Sequence, residues 1–455
     1  MNELFNLSGQ NANSDESSNG SQDYTQLIRW FRQATPYINA HRGKTFVVML
    51  SGEAVADNNI SNIIHDIALL NSLGTRIVIV HGVRAQLDAQ LKQRNINSQF
   101  VQGMRVSDQA TMDAAIQASS LIRSQLETRL SMGLANSPMH GARVRVASAN
   151  VITAKPAGII DGVDLQHTGL VRKIDTVAMN TLLDLGNVVL LSPLGYSPTG
   201  EAFSLSYQQV ASEIAIALQA DKLIAFTHQD GICNKKGELI RELNPTTAQA
   251  NIAEQNQDNE FIRCAKTAIA SVEGGVPRAH LMNYADDGAL LQELYTVDGA
   301  GTLILSANFE VTRQANAEDI PAIIDIISPL EEQGVLVKRE RDKLEDEINY
   351  FTVIEREGLI IALAALYPYA ENNGEIACIV THPDYRNGAR GANLLNTIET
   401  NARAAGMNNV FVLTTQTAHW FIENGFKEGG LDDLPEEKQS LYNYQRNSKV
   451  LSKQL

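Results

Sequence analysis

Cysteine is scarce in this chain. Cys233, Cys264 and Cys378 are the three in 455 residues, far apart and without metal-ligand or redox spacing. No metal site is therefore expected, and a reducing cytoplasm is the expected compartment. No apolar run approaches the ~20 residues that span a bilayer. The N-terminus lacks a basic segment followed by an apolar core, so no signal peptide is read there. Cationic residues are in deficit: 37 Lys and Arg stand against 52 Asp and Glu, for a net charge of −15 and a pI near 5.1. That balance argues against a nucleic-acid partner and makes any basic cluster a local exception. What is present, 44% hydrophobic and 20% charged residues, describes a globular protein of two or three domains.

Taken in order, residues 1–22 are rich in Asn, Ser, Gly and Gln and are expected to be disordered. Residues 23–42 read as a helix, with Leu27, Ile28, Phe31, Ala34 and Ile38 near helical spacing. It either caps the next domain or packs on another subunit. From 43 to 308, unalternating apolar strands recur between helices, at Thr45–Leu50, Arg76–His81, Val188–Ser192 and Lys222–Thr227. Such strands belong to an open, mainly parallel α/β sheet covered by helices on both faces. Ser51–Glu53 and the turn-rich Pro193–Gly200 read as loops, and the polar stretch 244–258 as a surface excursion. Residues 309–455 read as a second α/β domain with a mixed sheet.

One stretch in that second domain organises the rest. Glu375–Val380 is a short apolar strand, His382-Pro383-Asp384 a turn, and residues 386–392 a loop of small and cationic residues. Leu394, Leu395, Ile398 and Ala402 then mark a helix. A loop of small residues ahead of a helix presents free backbone N–H groups at the positive end of the helix dipole, which suits a pyrophosphate. The alternative is a surface loop with solvated arginines.

The run Arg386-x-x-Ala389-x-Gly391-Ala392 resembles the acyl-coenzyme-A loop of the GNAT acetyltransferases, with Ala389 where that family mostly has Gly. The 45–306 region is similar to the amino acid kinase family, on VVMLSGEAV, VIVHGVRAQLD and SYQQVASEIAIAL. Here Met49 takes the place of the family's phosphate-binding lysine, Val83 and Arg84 replace two glycines, and Gln208 replaces an aspartate. Phosphoryl transfer depends on positioned cations and carboxylates, so a catalytically dead kinase acting as a regulatory domain is expected. Together, about residues 24–455 resemble the bacterial-type N-acetylglutamate synthases, most specifically at EIACIV, HPDYR, FVLTT, HWF and YNYQRNS.

That resemblance implies acetyl transfer from acetyl-CoA, as co-substrate, to the α-amine of L-glutamate. The product opens arginine biosynthesis, and L-arginine would inhibit by feedback. Glu375 would be the general base, taking a proton from an amine that is mostly ammonium near neutral pH. The alternative for it is a solvated strand-edge glutamate. The backbone N–H groups of Ile376 and Cys378 would polarise the thioester carbonyl, and Val380 would line the co-substrate. A tyrosine that many family members place after the last strand is Trp420 here, so Thr414 is the candidate to serve the leaving thiol. Arg386, Asn387, Gly388, Ala389, Arg390, Gly391 and Ala392 would hold the CoA phosphates. Lys338, Arg339, Arg446 and Ser448 would take the two substrate carboxylates, since a guanidinium binds a carboxylate bidentately. Arginine would sit by Glu273, Gly274 and Gly275, with Lys222 and Tyr37. The family also implies a homo-oligomer, a hexamer built through the kinase-like domain. A kinase of the same fold, a non-catalytic arginine sensor, and a transferase for cationic amines are the alternatives.

Overall fold

The computed structural model describes residues 28, 31–32, 34–133, 139–253, 259–296, 299–306, 310–356, 358–386, 390–440, 442–444 and 446–455. The expected disordered tail, 1–22, and the loop residues Asn387, Gly388 and Ala389 lie outside these. The chain divides into two compact units, Met1–Ser306 and Ala307–Leu455.

The first unit is built on an eight-stranded sheet. Named by first residue, the strands run Glu242, Thr302, Arg278, Lys222, Thr45, Arg76, Asn187, Arg145 across it. All neighbours are parallel except the Arg278 and Thr302 strands. Along Thr45–Leu50, Val47 and Met49 enter one core while Phe46, Val48 and Leu50 enter the other. Period-two geometry sends successive side chains to opposite faces, so a strand with helices on both sides must be apolar throughout. The helix Ile60–Ser72 buries Ile60, Ile63, Ile64, Ile67 and Leu70, and Gly74 at φ +93 lets the chain turn out of it.

Three local expectations give way. Ser51–Glu53 is not a plain loop: the Ser51 hydroxyl accepts the Ala54 N–H and caps a short helix, Gly52–Ala56. Within 244–258, Pro245–Ala253 is helical, because Ala248 and Ile252, four apart, share a buried face. The Pro193–Gly200 loop contains a strand, Leu194–Tyr196. It joins Ile152–Pro156, Gly169–Ile174 and Ala202–Ser204 in a small second sheet.

The second unit carries a seven-stranded sheet in the order Glu310, Phe351, Leu359, Asn373, Asn409, Lys449, Lys427, again by first residue. It is antiparallel except where Asn373–Thr381 meets Asn409–Thr414. Helix Ile320–Glu332 covers one face with Ile320, Ile323, Ile326 and Ile327. Helix Arg390–Ala404 covers the other with Leu394, Leu395, Ile398 and Ala402. Each such Leu or Ile, fully buried, contributes about 1.5–3 kcal/mol, enough to fix where that helix begins beside the sheet.

Candidate active site

The one parallel pair of strands in this sheet separates. Asn373–Thr381 and Asn409–Thr414 are in register only at Asn373↔Asn409, Gly374↔Val410 and Glu375↔Phe411. Beyond Glu375 the first strand continues bonded only on its other side, to Leu359–Tyr369. On that side a bulge sets Cys378 and Ile379 opposite Ala364 alone, and Cys378 has φ +54. A non-glycine residue in the left-handed region is uncommon. The extra residue inverts the alternation: Ile376 and Ile379 pack on one core, and Cys378 and Val380 on the other.

A cavity of about 670 Å³ opens at this divergence. Of the residues named from sequence, Glu375, Ile376, Cys378, Val380, Arg386, Gly391, Ala392, Thr414, Arg339, Arg446 and Ser448 line it together. Two do not. Lys338 is exposed on the neighbouring surface. The Arg390 guanidinium turns to Glu310, with Nη2 2.7 Å and Nε 2.9 Å from Oε1, and Arg356 binds the same carboxylate at 3.1 Å. Arg390 therefore ties the start of its helix to the first strand, and of the two loop arginines Arg386 is the cavity cation. Gly391 packs close under Trp420, where an added Cβ would lie 3.3 Å from the indole.

The cations arrive by separate routes. The Arg339 N–H donates to Glu331 Oε1 at 3.0 Å and its Nη1 to the Val337 carbonyl at 3.1 Å. Arg446 donates Nη2 to the Val335 carbonyl, while its buried Nε has no hydrogen-bond partner among the described residues. Burial, and then the charge of Arg339, hold Arg446 below its ordinary pKa. Two guanidinium groups that repel each other across one cavity make a site complementary to anions.

Glu375 is buried, not solvated at a strand edge; it is 7% exposed. Its Oε2 accepts from Lys438 Nζ at 2.6 Å and from the Tyr369 hydroxyl at 3.2 Å. Neither partner was read from the sequence. Lys438 lies in a polar segment, 63 residues away, with no local signal. Tyr369 ends the strand Leu359–Tyr369 and carries no local signal either. Thr414 Oγ1 lines the cavity but is engaged in a turn, accepting the Gln416 and Thr417 N–H groups and sharing a hydrogen bond with Thr417 Oγ1 at 2.9 Å. Burial pushes the Cys378 thiol up to about 11, against the opposing charge of Arg339, which disfavours the thiolate.

The acetyltransferase (GNAT) family model matches residues 320–426 and the amino acid kinase family model residues 44–283. An amino-acid acetyltransferase of Pseudomonas syringae pv. tomato is 51% identical over 429 residues, covering 94% of this chain and 99% of that protein. The chain belongs to the amino-acid acetyltransferase family. An enzyme of the same description from Pseudomonas fluorescens SBW25 is 50% identical over 431 residues, covering 94% of this chain and all of its own length. The crystal structure of N-acetylglutamate synthase from Neisseria gonorrhoeae, complexed with coenzyme A and L-arginine, superposes with a TM-score of 0.85 at 38% identity, covering 94% of this chain and 99% of that one.

The kinase-like unit of this acetyltransferase shows where the substituted positions went. Met49 is fully buried in the core. Val83 packs in the other core, and Arg84 stacks over Phe100 at 5.1 Å. Gln208 donates to Glu260 at 3.1 Å and accepts from Ser206 at 2.8 Å.

A second polar cluster lies inside the same unit. His41, Lys222, Arg278 and His280 are all buried. The Glu293 side chain is also buried and accepts from His280 Nδ1 at 2.7 Å, while its Oε2 accepts the Ala300 and Gly301 N–H groups at 2.7 and 2.9 Å. Burial works against the Glu293 charge, but His280 and the two amides outweigh it and hold the carboxyl down at about 2. Burial, chiefly, lowers His280 to about 4 and His41 to about 2. Both rings are therefore neutral at pH 7. His41 Nδ1, His280 Nε2 and the Tyr295 hydroxyl have no hydrogen-bond partners among the described residues. Three buried orphan polar atoms in one place point to a polar ligand. The cluster contains the expected Lys222. Tyr37 packs half-buried against the adjoining core. Glu273, Gly274 and Gly275 are exposed at the end of helix Glu260–Glu273, so the carboxylate buried in this cluster is Glu293 rather than Glu273.

Proposed function

We propose that this acetyltransferase acetylates the α-amine of L-glutamate, giving N-acetyl-L-glutamate at the start of arginine biosynthesis, and that L-arginine inhibits it from the cluster around Glu293. One observation carries the substrate: Arg339 and Arg446 line the same cavity as Glu375, and Arg446 Nε is buried without a partner among the described residues. A dicarboxylic amino acid supplies the missing acceptors and leaves its amine to the buried carboxylate. A cationic amine would be repelled.

In this reading the thioester enters where the strands diverge, taking the unpaired strand edge through its amide groups. The diphosphate lies at the N-terminus of helix Arg390–Ala404 with Arg386. Glu375 takes a proton from the substrate ammonium, directly or through water. The freed amine attacks the thioester carbonyl carbon, whose oxygen gathers charge near the Ile376 and Cys378 amides. The C–S bond then breaks, and the second amine proton leaves with sulfur as the thiol; Thr414 lies on that side of the cavity. The Neisseria protein was crystallised both with arginine and with N-acetyl-glutamate, each beside coenzyme A, which supports both halves of the reading. For arginine, neutral His280 offers a lone pair at Nε2 to guanidinium N–H groups, and Lys222 a charge to the α-carboxylate. A kinase reading lacks support, because Met49 in the core brings no cation to a phosphoryl group. Exposed Ile28 and Phe31 on the N-terminal helix support a homo-oligomer formed through this unit.

Thiol release from acetyl-CoA, measured with each common amino acid with and without arginine, tests the reading. Release with L-glutamate, suppressed by arginine, is expected. Release with lysine or polyamines but not glutamate would overturn the substrate. Glutamate turnover unmoved by millimolar arginine would overturn the effector.

A further inference from the structure

Glu375 has two oxygens, and both of its observed donors fall on one of them. Lys438 Nζ and the Tyr369 hydroxyl reach Oε2 at 2.6 and 3.2 Å. Oε1 has no donor among the described residues. The donors are themselves held. Lys438 Nζ sits 5.8 Å over the Tyr369 ring. That ring packs at 5.6 Å on Phe411, the residue in register with Glu375 on the neighbouring strand. Leu434, just ahead of the short helix Glu436–Ser440 that carries Lys438, buries itself against Phe411 and Val450. Gln439 donates to the Leu434 carbonyl at 2.7 Å and closes that turn. The last strands of the sheet thus set the position of a carboxylate on its central strand.

We propose that Lys438, backed by Tyr369, is a positioning residue that clamps Glu375 by Oε2 and leaves Oε1 as the oxygen that takes the proton from the amine. The inference rests on the reading of Glu375 as the base. A carboxylate on an unbranched side chain has three rotatable bonds, and a charge-assisted hydrogen bond at 2.6 Å removes most of that freedom. Proton transfer is sensitive to such placement, with misplacement by about 1 Å costing up to about a hundredfold. Lys438 lines the cavity beside Glu375, and its side chain is 19% exposed, so it is a fixed group rather than a solvated one.

A double-mutant cycle on the full chain decides between acting through Glu375 and acting on the substrate. Lys438→Met is expected to lower kcat about ten- to a hundredfold, with KM for both substrates within about threefold. Lys438→Arg restores most of it. In the Glu375→Gln background, Lys438→Met is expected to change kcat less than about twofold, because the group it positions is gone. CoA binding by calorimetry, unchanged in every variant, shows that the site has folded. If Lys438→Met lowers kcat equally in both backgrounds, or raises KM for glutamate with kcat intact, Lys438 is a substrate cation and the clamp is refuted. If Glu375→Gln alone leaves kcat unchanged, the base assignment itself fails, a result seen without any Lys438 variant.

Discussion

Arg446→Met is the sharpest probe of the substrate site. Arg446 already spends Nη2 on the Val335 carbonyl. Its buried Nε has no hydrogen-bond partner among the described residues, and the group lines the cavity. A carboxylate that fills this place gains charge-assisted hydrogen bonds of about 1.5–3 kcal/mol each. Two of them, reduced for the partial exposure of the group, give about 3 kcal/mol in all. At about 1.4 kcal/mol per tenfold, KM for glutamate should rise on the order of a hundredfold. KM for acetyl-CoA should stay within about twofold, since Arg386 and the helix N-terminus are untouched. The assay is steady-state thiol release at varied glutamate and saturating acetyl-CoA. Arg446→Lys should fall between the two, because an ammonium keeps the charge and loses the planar fork. If Arg446→Met leaves KM for glutamate within threefold of the parent, the guanidinium does not bind the substrate and the carboxylate reading collapses.

Three further outcomes follow from the geometry. Arg386→Met should raise KM for acetyl-CoA, whereas Arg390→Met should lower the unfolding midpoint and leave that KM nearly alone, since Arg390 is paired with Glu310; the reverse pattern would reassign the phosphate cation. Glu293→Gln should weaken arginine binding measured by calorimetry at least tenfold, because neutral His280 then loses its anionic partner, while Glu273→Ala should leave it unchanged. Acidification should destabilise the kinase-like unit. The unfolded histidines take up protons near pH 6.5, but folded His280 does so only near 4 and His41 near 2. The stability they contribute is thus full above pH 6.5 and lost progressively as pH falls from there toward 4. Urea midpoints between pH 7.5 and 5 measure it, and a flat profile would mean the folded rings take up protons as readily as the unfolded ones.

Much of the architecture was legible because it is written in short-range pattern. Thr45–Leu50, Arg76–His81 and Lys222–Thr227 have the bounds read from sequence. Each is a continuous apolar run, as burial on both faces of a sheet requires. The small sheet around Ile152–Pro156 and Leu194–Tyr196 went unread, because its strands of three to six residues are too short to show a period. In the candidate site, Glu375, Arg339, Arg446 and Ser448 were named and do meet in one cavity. Lys438 and Tyr369 were not named, since nothing around either one distinguishes it from an ordinary surface lysine or strand tyrosine.

By itself the sequence determined which of the longer segments are strands and helices, which of them are buried on both faces, and which residues stand where the kinase family has its phosphate-binding groups. Those are properties of neighbours a few residues apart. Only the tertiary structure decided how the charged side chains are shared out. Arg386 and Arg390 are four apart, yet one faces the cavity and the other reaches Glu310, 80 residues away. Glu273 lies in solvent while Glu293 is buried beneath His280. A charge settles where distant chain brings it a partner and excludes water, and that encounter has no trace in local pattern.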